Sequence, residues 1–304
     1  MPFLEIKNVT KRYARHTALD GVSLDIEKGR VFGLLGPNGA GKTSLIRIIN
    51  RITGPDEGEV FFDGRPMTKD DIMRIGYLPE ERGLYRKMKV GEQAIYLARL
   101  KGVEAKEAKR RLETWFEKFD IMPWWNKKVE ELSKGMQQKV QFVCTVIHEP
   151  ELLIFDEPFS GFDPVNADLL KKEILQLKDQ GRTVIFSTHN MQSVEEVCDD
   201  FALIDKSKVV LSGNVMAVRK EYRTGYVKLV YEGQLTEEEL LSLKACDCTV
   251  RGSYGMMRMQ KEEGQTNREL LQTLPAHVSV VSFNEEMPNM HDIFIKNVQT
   301  TTES

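Results

Sequence analysis

The feature that most constrains this chain is the segment Gly36-Pro37-Asn38-Gly39-Ala40-Gly41-Lys42-Thr43. It fits the pattern G-x-x-x-x-G-K-[ST], whose backbone N–H groups surround phosphate oxygens. An apolar stretch suited to a buried strand precedes it at residues 31–35, and helically spaced apolar residues follow it from Leu45 onward. A helix that starts directly after such a loop presents its positive end to an anion. The sequence therefore predicts a phosphate-binding loop (the P-loop, residues 36–43), held between a strand and a helix.

Individual residues of the P-loop have separate predicted tasks. Lys42 is expected to reach the β- and γ-phosphates of a nucleotide and to take part in the chemistry, and the Thr43 hydroxyl is expected to face Mg²⁺. The alternative is a glycine-rich turn that happens to end in lysine, and the flanking strand and helix argue against it. The residues predicted to bind the nucleotide here are Gly36, Asn38, Gly39, Ala40, Gly41, Lys42, Thr43 and Ser44.

Length and composition limit the remaining classes of protein. With 304 residues, 41 % of them hydrophobic, the chain can bury a core and form about two domains. Its net charge of −3 and pI near 6.1 give no overall attraction to nucleic acid, so no nucleic-acid partner is predicted. The four scattered cysteines fit neither a zinc site nor a disulfide framework and favour a reducing cytoplasm. The sequence contains no recognisable signal peptide and no apolar run long enough for a bilayer.

The first part of the chain predicts an antiparallel pair of strands followed by the P-loop and a helical region. The two strands, near residues 4–9 and 22–26, are expected to be joined through Tyr13 and residues 18–21. A helical subdomain is predicted at about residues 88–147, with helices at 90–100 and 105–119. Two tryptophans interrupt this subdomain, and either a contact surface or internal packing explains them: Trp124 and Trp125.

Buried strands alternate with helices after residue 150, which indicates an α/β fold with a mainly parallel sheet. The predicted strands are at 151–157, 184–186 and 201–204, and the predicted helices are at 168–178 and 191–198. A polar hinge near Arg219–Gly225 then predicts a boundary between a first domain, residues 1–222, and a second, residues 223–304.

The second domain is predicted to be small and α+β, with the order β-α-β-β-α-β. Thr236 with Glu239 three residues later is a capping box, which marks a helix start. The predicted strands are at 226–231, on both sides of Gly255 within 249–260, and at 278–283; the predicted helices are at 236–243, 267–274 and 291–298.

Two acids close the apolar run at residues 152–155. A carboxylate at the C-terminal end of a parallel strand faces the ligand edge of the sheet, so Asp156 is predicted to hold Mg²⁺ opposite Thr43. Glu157 follows directly and is free to polarise an attacking water. A pair of exposed acids at a strand end is the alternative, and the upstream P-loop makes it the weaker one.

A second distinctive segment is Leu132-Ser133-Lys134-Gly135-Met136-Gln137, called the signature segment here. Ser133 is placed to cap the helix that follows, and a capped helix start is an anion site. With this segment, the chain over about residues 3–215 resembles the ATPase subunits of ABC transporters. The signature of that family is L-S-G-G-Q, and Lys134 and Met136 depart from it. The resemblance implies that each chain's segment contacts ATP held by a second copy, through Ser133, Lys134, Gly135 and Met136.

The resemblance also assigns roles to residues outside these segments. Tyr13 stands where the family stacks an aromatic ring on adenine, although an ordinary surface tyrosine explains it as well. Glu80 replaces the glutamine that faces Mg²⁺ and water in the family, and the resemblance implies that its carboxylate also faces Mg²⁺ while adding a charge. Asp163 lies in the loop that crosses the dimer interface, and Asp before Pro is also ordinary helix-start chemistry. His189 follows a strand and is expected to contact the γ-phosphate and assist catalysis.

The implied protein is an ATP- and Mg²⁺-dependent ATPase that works with other subunits. Two copies, or one copy and a paralogous ATPase subunit, would enclose ATP between them at the cytoplasmic face of a membrane. A separate integral membrane permease would carry the substrate. The region from about residue 225 resembles the C-terminal domain of ATPases from type-2 ABC exporters, with residues 288–294 similar to a recurring tail segment.

Two other functions account for fewer of these features. A ribosome- or DNA-acting ABC protein usually carries two ATPase domains or a long coiled-coil insertion, and the chain has one P-loop and no such insertion. A P-loop kinase or ligase would leave the signature segment and His189 unexplained.

Overall fold

The computed structural model describes residues 1–81 and 83–300. The strands within these ranges are β1 (Leu4–Tyr13), β2 (His16–Ile26), β3 (Val31–Leu35), β4 (Glu57–Phe62), β5 (Arg65–Pro66), β6 (Ile75–Leu78), β7 (Leu152–Asp156), β8 (Thr183–Thr188), β9 (Asp200–Asp205), β10 (Lys208–Asn214), β11 (Tyr226–Glu232), β12 (Ala245–Arg251), β13 (Tyr254–Gln260) and β14 (Ser279–Glu285). The α-helices are α1 (Lys42–Ile49), α2 (Val90–Leu100), α3 (Ala105–Lys118), α4 (Lys134–Val146), α5 (Pro164–Asp179), α6 (Met191–Val197), α7 (Val215–Glu221), α8 (Glu237–Ser242), α9 (Asn267–Gln272) and α10 (Met290–Thr300). None of these described helices has both the length and the apolar composition needed to cross a membrane.

A mainly parallel sheet forms the centre of the first part of the chain and confirms the predicted fold class. Its strand order is β10-β9-β3-β8-β7-β6, and only the β9–β10 pair is antiparallel. The strands β3, β7 and β8 are buried along their whole length, as apolar runs without alternation predict for a parallel sheet covered on both faces. The sheet therefore provides a rigid edge at the carboxyl ends of its parallel strands.

An antiparallel sheet of order β2-β1-β4-β5 precedes and follows the P-loop in sequence. The β1–β2 hairpin is longer than predicted: Leu4 pairs with Ile26 at one end, and Tyr13 pairs with His16 at the other. The predicted connection at residues 18–21 is thus part of β2. Backbone pairing with β1 extends the strand beyond the stretch that alternating hydrophobicity marked.

The predicted helical subdomain contains α2, α3 and α4, with an aromatic cluster at their contacts. Trp125 is packed inside it: its ring centroid lies 5.2 Å from that of Phe116, and a Cβ added at Gly91 would lie 2.4 Å from its Cε2. A side chain at position 91 would therefore displace the indole. For Trp125, internal packing rather than an open contact surface is the arrangement found.

The chain divides into two compact units, one of Met1–Val215 with residues 294–300, the other of Met216–Ile293. The predicted boundary at 222/223 lies after this division and stays a prediction, and the predicted second domain includes residues 301–304, which lie outside the described residues. The second unit has an antiparallel sheet of order β12-β13-β11-β14. Its element order from β11 to β14 is the predicted β-α-β-β-α-β. Thr236 and Glu239 form the predicted capping box before α8.

Three further local features differ from the sequence-based picture. The predicted hinge begins inside α7, since residues 219–221 are helical. Strand β10 was not predicted; it pairs with β9 through its backbone, and its residues are only half-buried. Gly255 does not mark a turn but lies within β13, where an added Cβ would be 2.1 Å from Tyr231 Cζ. The glycine is needed because the Tyr231 ring occupies the space of a side chain.

His148, in the turn between α4 and β7, provides a pH-dependent contribution to stability. Burial, with help from the nearby Lys101 ammonium, lowers the pKa of His148 from 6.5 to about 4. Its Nε2 lies 3.2 Å from the Ile75 carbonyl oxygen, and its Nδ1 is buried without a hydrogen-bond partner among the described residues. The folded chain therefore resists placing a second proton on this ring.

We expect this resistance to make acid destabilise the protein, and His148→Gln to remove the effect. Between pH 6.5 and 4 the unfolded state binds the proton more readily, so stability falls as the pH falls through this window. The loss is about 1.4 kcal/mol per pH unit, or about 3 kcal/mol in total. Urea unfolding midpoints of the wild type and His148→Gln, measured between pH 6.5 and 4, test this prediction. If the midpoints of the two proteins fall equally with pH, His148 does not contribute.

Candidate functional site

The P-loop connects β3 to α1, and close backbone contacts fix its shape. A Cβ added at Gly36, whose φ is +146°, would lie 2.1 Å from the Ile204 carbonyl oxygen. A Cβ added at Gly41, whose φ is +116°, would lie 2.3 Å from the Ala18 carbonyl oxygen. Neither position accepts a side chain, so both glycines of the pattern are required by packing as well as by conformation.

Lys42 is buried at the first position of α1, inside the loop that precedes it. Its ammonium donates hydrogen bonds to the carbonyl oxygens of Gly36 (2.7 Å) and Pro37 (3.0 Å). Burial lowers the pKa of Lys42, while the carboxylates of Glu157, Asp156 and Glu80 act in the opposite direction. The ammonium is therefore desolvated and held where phosphate oxygens would meet the loop.

The other predicted residues follow the carboxyl ends of neighbouring parallel strands. Strands β3, β8, β7 and β6 are adjacent in the sheet, and they lead into the P-loop, His189, Glu157 and Glu80 respectively. This is the edge at which open α/β sheets bind their ligands. The sheet order thus brings together residues separated by up to about two thirds of the first unit's sequence.

Most of these residues surround one cavity of about 290 Å³, called the P-loop cavity here; the predicted residues Gly36, Ala40 and His189 are not among its described lining residues. Its lining residues are His16, Ala18, Asn38, Gly39, Gly41, Lys42, Thr43, Ser44, Glu80, Asp156 and Glu157. The cavity contains the ammonium of Lys42 and three carboxylates, so its chemistry suits a phosphate ester together with a cation.

Asp156 and Thr43 form an oxygen pair suited to Mg²⁺. Asp156 is 3 % exposed; its Oδ1 accepts a hydrogen bond from Ser187 Oγ at 2.5 Å, and its Oδ2 lies 3.4 Å from Thr43 Oγ1. Burial raises the pKa of Asp156, and the Ser187 hydrogen bond opposes this. No group of three or more His, Cys, Asp or Glu side chains among the described residues could hold a metal alone. Mg²⁺ commonly uses one or two protein ligands plus substrate phosphates, and this pair fits that requirement.

Glu157 and His189 form a hydrogen-bonded pair beside the cavity. Glu157 Oε1 accepts from the backbone N–H of His189 (3.0 Å) and lies 2.7 Å from its Nδ1, while Thr188 Oγ1 donates to Oε2 at 3.3 Å. Glu157 has a φ of +49°, in the left-handed region. The carboxylate is thus fixed in orientation by the end of β8 rather than free at the strand end.

The signature segment is outside the P-loop cavity: none of its described residues lines it. Ser133 caps α4 as predicted, accepting a hydrogen bond from the Met136 backbone N–H at 3.4 Å. The first turn of α4 instead faces the loop after β7, since Gln138 Nε2 donates to the Ser160 carbonyl oxygen, and a Cβ at Gly135 would lie 3.9 Å from Phe162 Cδ1. Ser133 and Lys134 are exposed.

Asp163 also lies outside the lining of the cavity, and both of its carboxylate oxygens are occupied within its own helix start. Oδ1 accepts from the Asn166 backbone N–H at 3.0 Å, and Oδ2 accepts from the Asn166 side-chain amide at 2.5 Å. Asp163 therefore caps the start of α5 within a single chain, as the alternative interpretation predicts. A nucleotide contact by Asp163 stays a prediction.

Two lining residues were missed from the sequence, His16 and Ala18. Tyr13, which was predicted, is not among the described residues that line the cavity; its ring lies 5.6 Å from the His16 ring, at an interplanar angle of 31°. The pairing of Tyr13 with His16 at the hairpin end produces this contact. Extending the hairpin pattern by a few residues would have indicated His16.

The parallel sheet, the P-loop and the strand-end acids define a nucleotide-binding α/β domain. Comparison with known proteins gives the family: the profile for ABC transporters matches residues 19–160, and that for the C-terminal domain of DrrA1-3-like ATP-binding proteins matches residues 213–298. A profile for an AAA domain of the putative AbiEii toxin, type IV toxin–antitoxin system, matches residues 126–195.

The chain belongs to the ATP-binding proteins of ABC transporters. It is 44 % identical over 299 residues to the uncharacterized ABC transporter ATP-binding protein YhaQ of Bacillus subtilis, covering 97 % of this chain and 98 % of the relative. It is 27 % identical over 301 residues to the linearmycin resistance ATP-binding protein LnrL of Bacillus subtilis, covering 96 % and 97 %. A solved ATP-binding subunit of an ABC transporter is 29 % identical with a TM-score of 0.67, covering 72 % and 93 %.

Proposed function

We propose that two copies of this chain enclose ATP, hydrolyse it and thereby drive export through a separate integral membrane permease, from the cytoplasmic face of the membrane. The observation that carries the proposal is the separation of the P-loop from the capped start of α4, the two elements that we expect to bind phosphate. The P-loop cavity holds Lys42, while the capped, exposed start of α4 at Ser133 is outside it. A second copy, or a paralogous ATPase subunit, would bring its own signature segment to the nucleotide.

The side chains in the cavity support hydrolysis in the following way. Lys42 would balance charge on the β- and γ-phosphates. Glu157, oriented by His189, would accept a proton from the water that attacks the γ-phosphorus, and ADP would leave. Thr43 and Asp156 would hold Mg²⁺, which supplies positive charge to the triphosphate oxygens. His189 would contact the γ-phosphate.

The export direction is supported by resemblance at the C-terminal region and by one relative's name. The DrrA1-3-like profile covers residues 213–298, and LnrL is described as a resistance ATP-binding protein. The substrate is carried by the permease in this class of system.

Disulfide cross-linking tests the two-copy site. One chain carries Ser133→Cys, a differently tagged chain carries Asn38→Cys, and both carry Cys248→Ser because Cys248 is exposed. We expect a disulfide between the two tags that forms with ATP and not without it. A matched pair with Lys172→Cys in place of Ser133→Cys should give none, since Lys172 lies in the middle of α5.

A disulfide that forms equally well with and without ATP would contradict the two-copy site. A disulfide within one chain that carries both cysteines would contradict it as well. Co-purification of the tagged chain with ribosomes rather than with membranes would instead favour the ribosome-acting alternative.

A further inference from the structure

We infer that Glu80 makes this site select ATP that already carries a divalent cation, by adding a third carboxylate to the P-loop cavity. The inference rests on the proposed function, since it concerns how the same site binds ATP. It goes further by assigning a specificity role to a position where the family has a neutral amide.

Glu80 and the proposed hydrolytic acid, Glu157, follow neighbouring strands of the sheet. In the parallel pair β6–β7, Leu78 is opposite Phe155. Glu80 and Glu157 each lie two residues beyond that pair, so they leave neighbouring strands at the same level of the sheet. Adjacent strands are about 4.8 Å apart, and both carboxylates line the P-loop cavity.

The charges in the cavity are therefore unbalanced. Glu80, Asp156 and Glu157 provide three carboxylates against the single ammonium of Lys42 among the described lining residues. Glu80 is close enough to act on Lys42, because its carboxylate opposes the lowering of the Lys42 pKa by burial. An amide in place of Glu80 would leave two carboxylates.

This excess of negative charge acts differently on the two forms of the nucleotide. Metal-free ATP brings about four negative charges into the cavity and Mg²⁺-ATP about two, so a carboxylate repels the free form more strongly. A carboxylate oxygen is also a good ligand for a hard divalent cation, and an amide oxygen is a weaker one. Both effects favour the metal-bound nucleotide.

Calorimetric titration of the full chain with ATP, once in Mg²⁺ and once in EDTA, tests the inference by binding rather than by activity. We expect Glu80→Gln to bind metal-free ATP about tenfold more tightly than the wild type, and Mg²⁺-ATP with an affinity within about threefold of it. Raising the salt concentration should reduce the difference in EDTA, because screening weakens the repulsion.

Two further variants test whether the effect depends on the charge at position 80. Glu80→Asp keeps the charge and should keep the preference for Mg²⁺-ATP. Glu81→Gln removes an exposed charge next to Glu80 but outside the cavity lining, and should leave both affinities unchanged.

Equal affinities of Glu80→Gln and the wild type in EDTA, or an equal gain in both conditions, would overturn the inference. Failure of the wild type to bind ATP even in Mg²⁺ would overturn the proposed ATP site itself, and the inference with it.

Discussion

Replacing Glu157 with glutamine is expected to lower the turnover of ATP by about 10²- to 10⁴-fold while ATP binding persists. The amide keeps the size of the side chain and can still contact His189, but it cannot accept a proton from the attacking water. Blocked hydrolysis should leave ATP trapped between two copies. Phosphate-release assays measure the turnover, and gel filtration in ATP and Mg²⁺ should show a stable dimer of Glu157→Gln.

Glu149→Gln is the matched control for this substitution. Glu149 also has a left-handed backbone, with a φ of +56°, and it pairs with Arg111 outside the P-loop cavity. The control therefore shows how the same substitution affects ATP turnover at a residue that has a similar backbone conformation but lies outside the cavity. Turnover by Glu157→Gln within twofold of the wild type would remove Glu157 from the proposed role.

Replacing Lys42 with alanine is expected to weaken ATP binding by about 10- to 100-fold, which corresponds to the loss of one charge-assisted hydrogen bond of about 1.5–3 kcal/mol. The Lys42 ammonium is buried at the loop. Its removal would therefore leave the phosphates without a positively charged partner at this position. Titration calorimetry in Mg²⁺ measures the affinity directly.

Lys101→Ala separates the loss of binding from the loss of a half-buried, hydrogen-bonded lysine. The Lys101 ammonium also donates to two backbone carbonyl oxygens, those of Ile72 (2.7 Å) and Ile75 (2.9 Å), and burial lowers its pKa too. Lys101→Ala should therefore lower the melting temperature without changing ATP affinity. An unchanged affinity in Lys42→Ala would contradict the assignment of the P-loop cavity to the triphosphate.

The sequence was most informative where local chemistry alone dictates structure. The strand before the P-loop, the buried run before Asp156 and the capping box at Thr236 could each be recognised from a few consecutive residues, and the structure has them as predicted. The mainly parallel sheet followed from the alternation of strands and helices. The order of the strands, which makes the strands before Glu80 and Glu157 neighbours, was not predicted, because it depends on backbone pairing between distant segments.

Features that depend on contacts distant in sequence were not predictable in this way. His16 reaches the P-loop cavity because β1 and β2 pair to the end of their hairpin. Gly255 looked like a turn residue and instead makes room for the Tyr231 ring of a neighbouring strand. In both cases the residue that determines the arrangement lies on another strand, so the local sequence pattern does not reveal it.

The hydrogen bond between His189 and Glu157 determines which tautomer the imidazole adopts. A carboxylate oxygen can only accept, so the ring nitrogen 2.7 Å from it must carry the hydrogen. A neutral ring then has a bare lone pair on Nε2, which repels a phosphate oxygen instead of binding it. Nε2 can therefore donate a hydrogen bond to the terminal phosphate of ATP, as we propose for His189, only in a ring that carries hydrogen on both nitrogens.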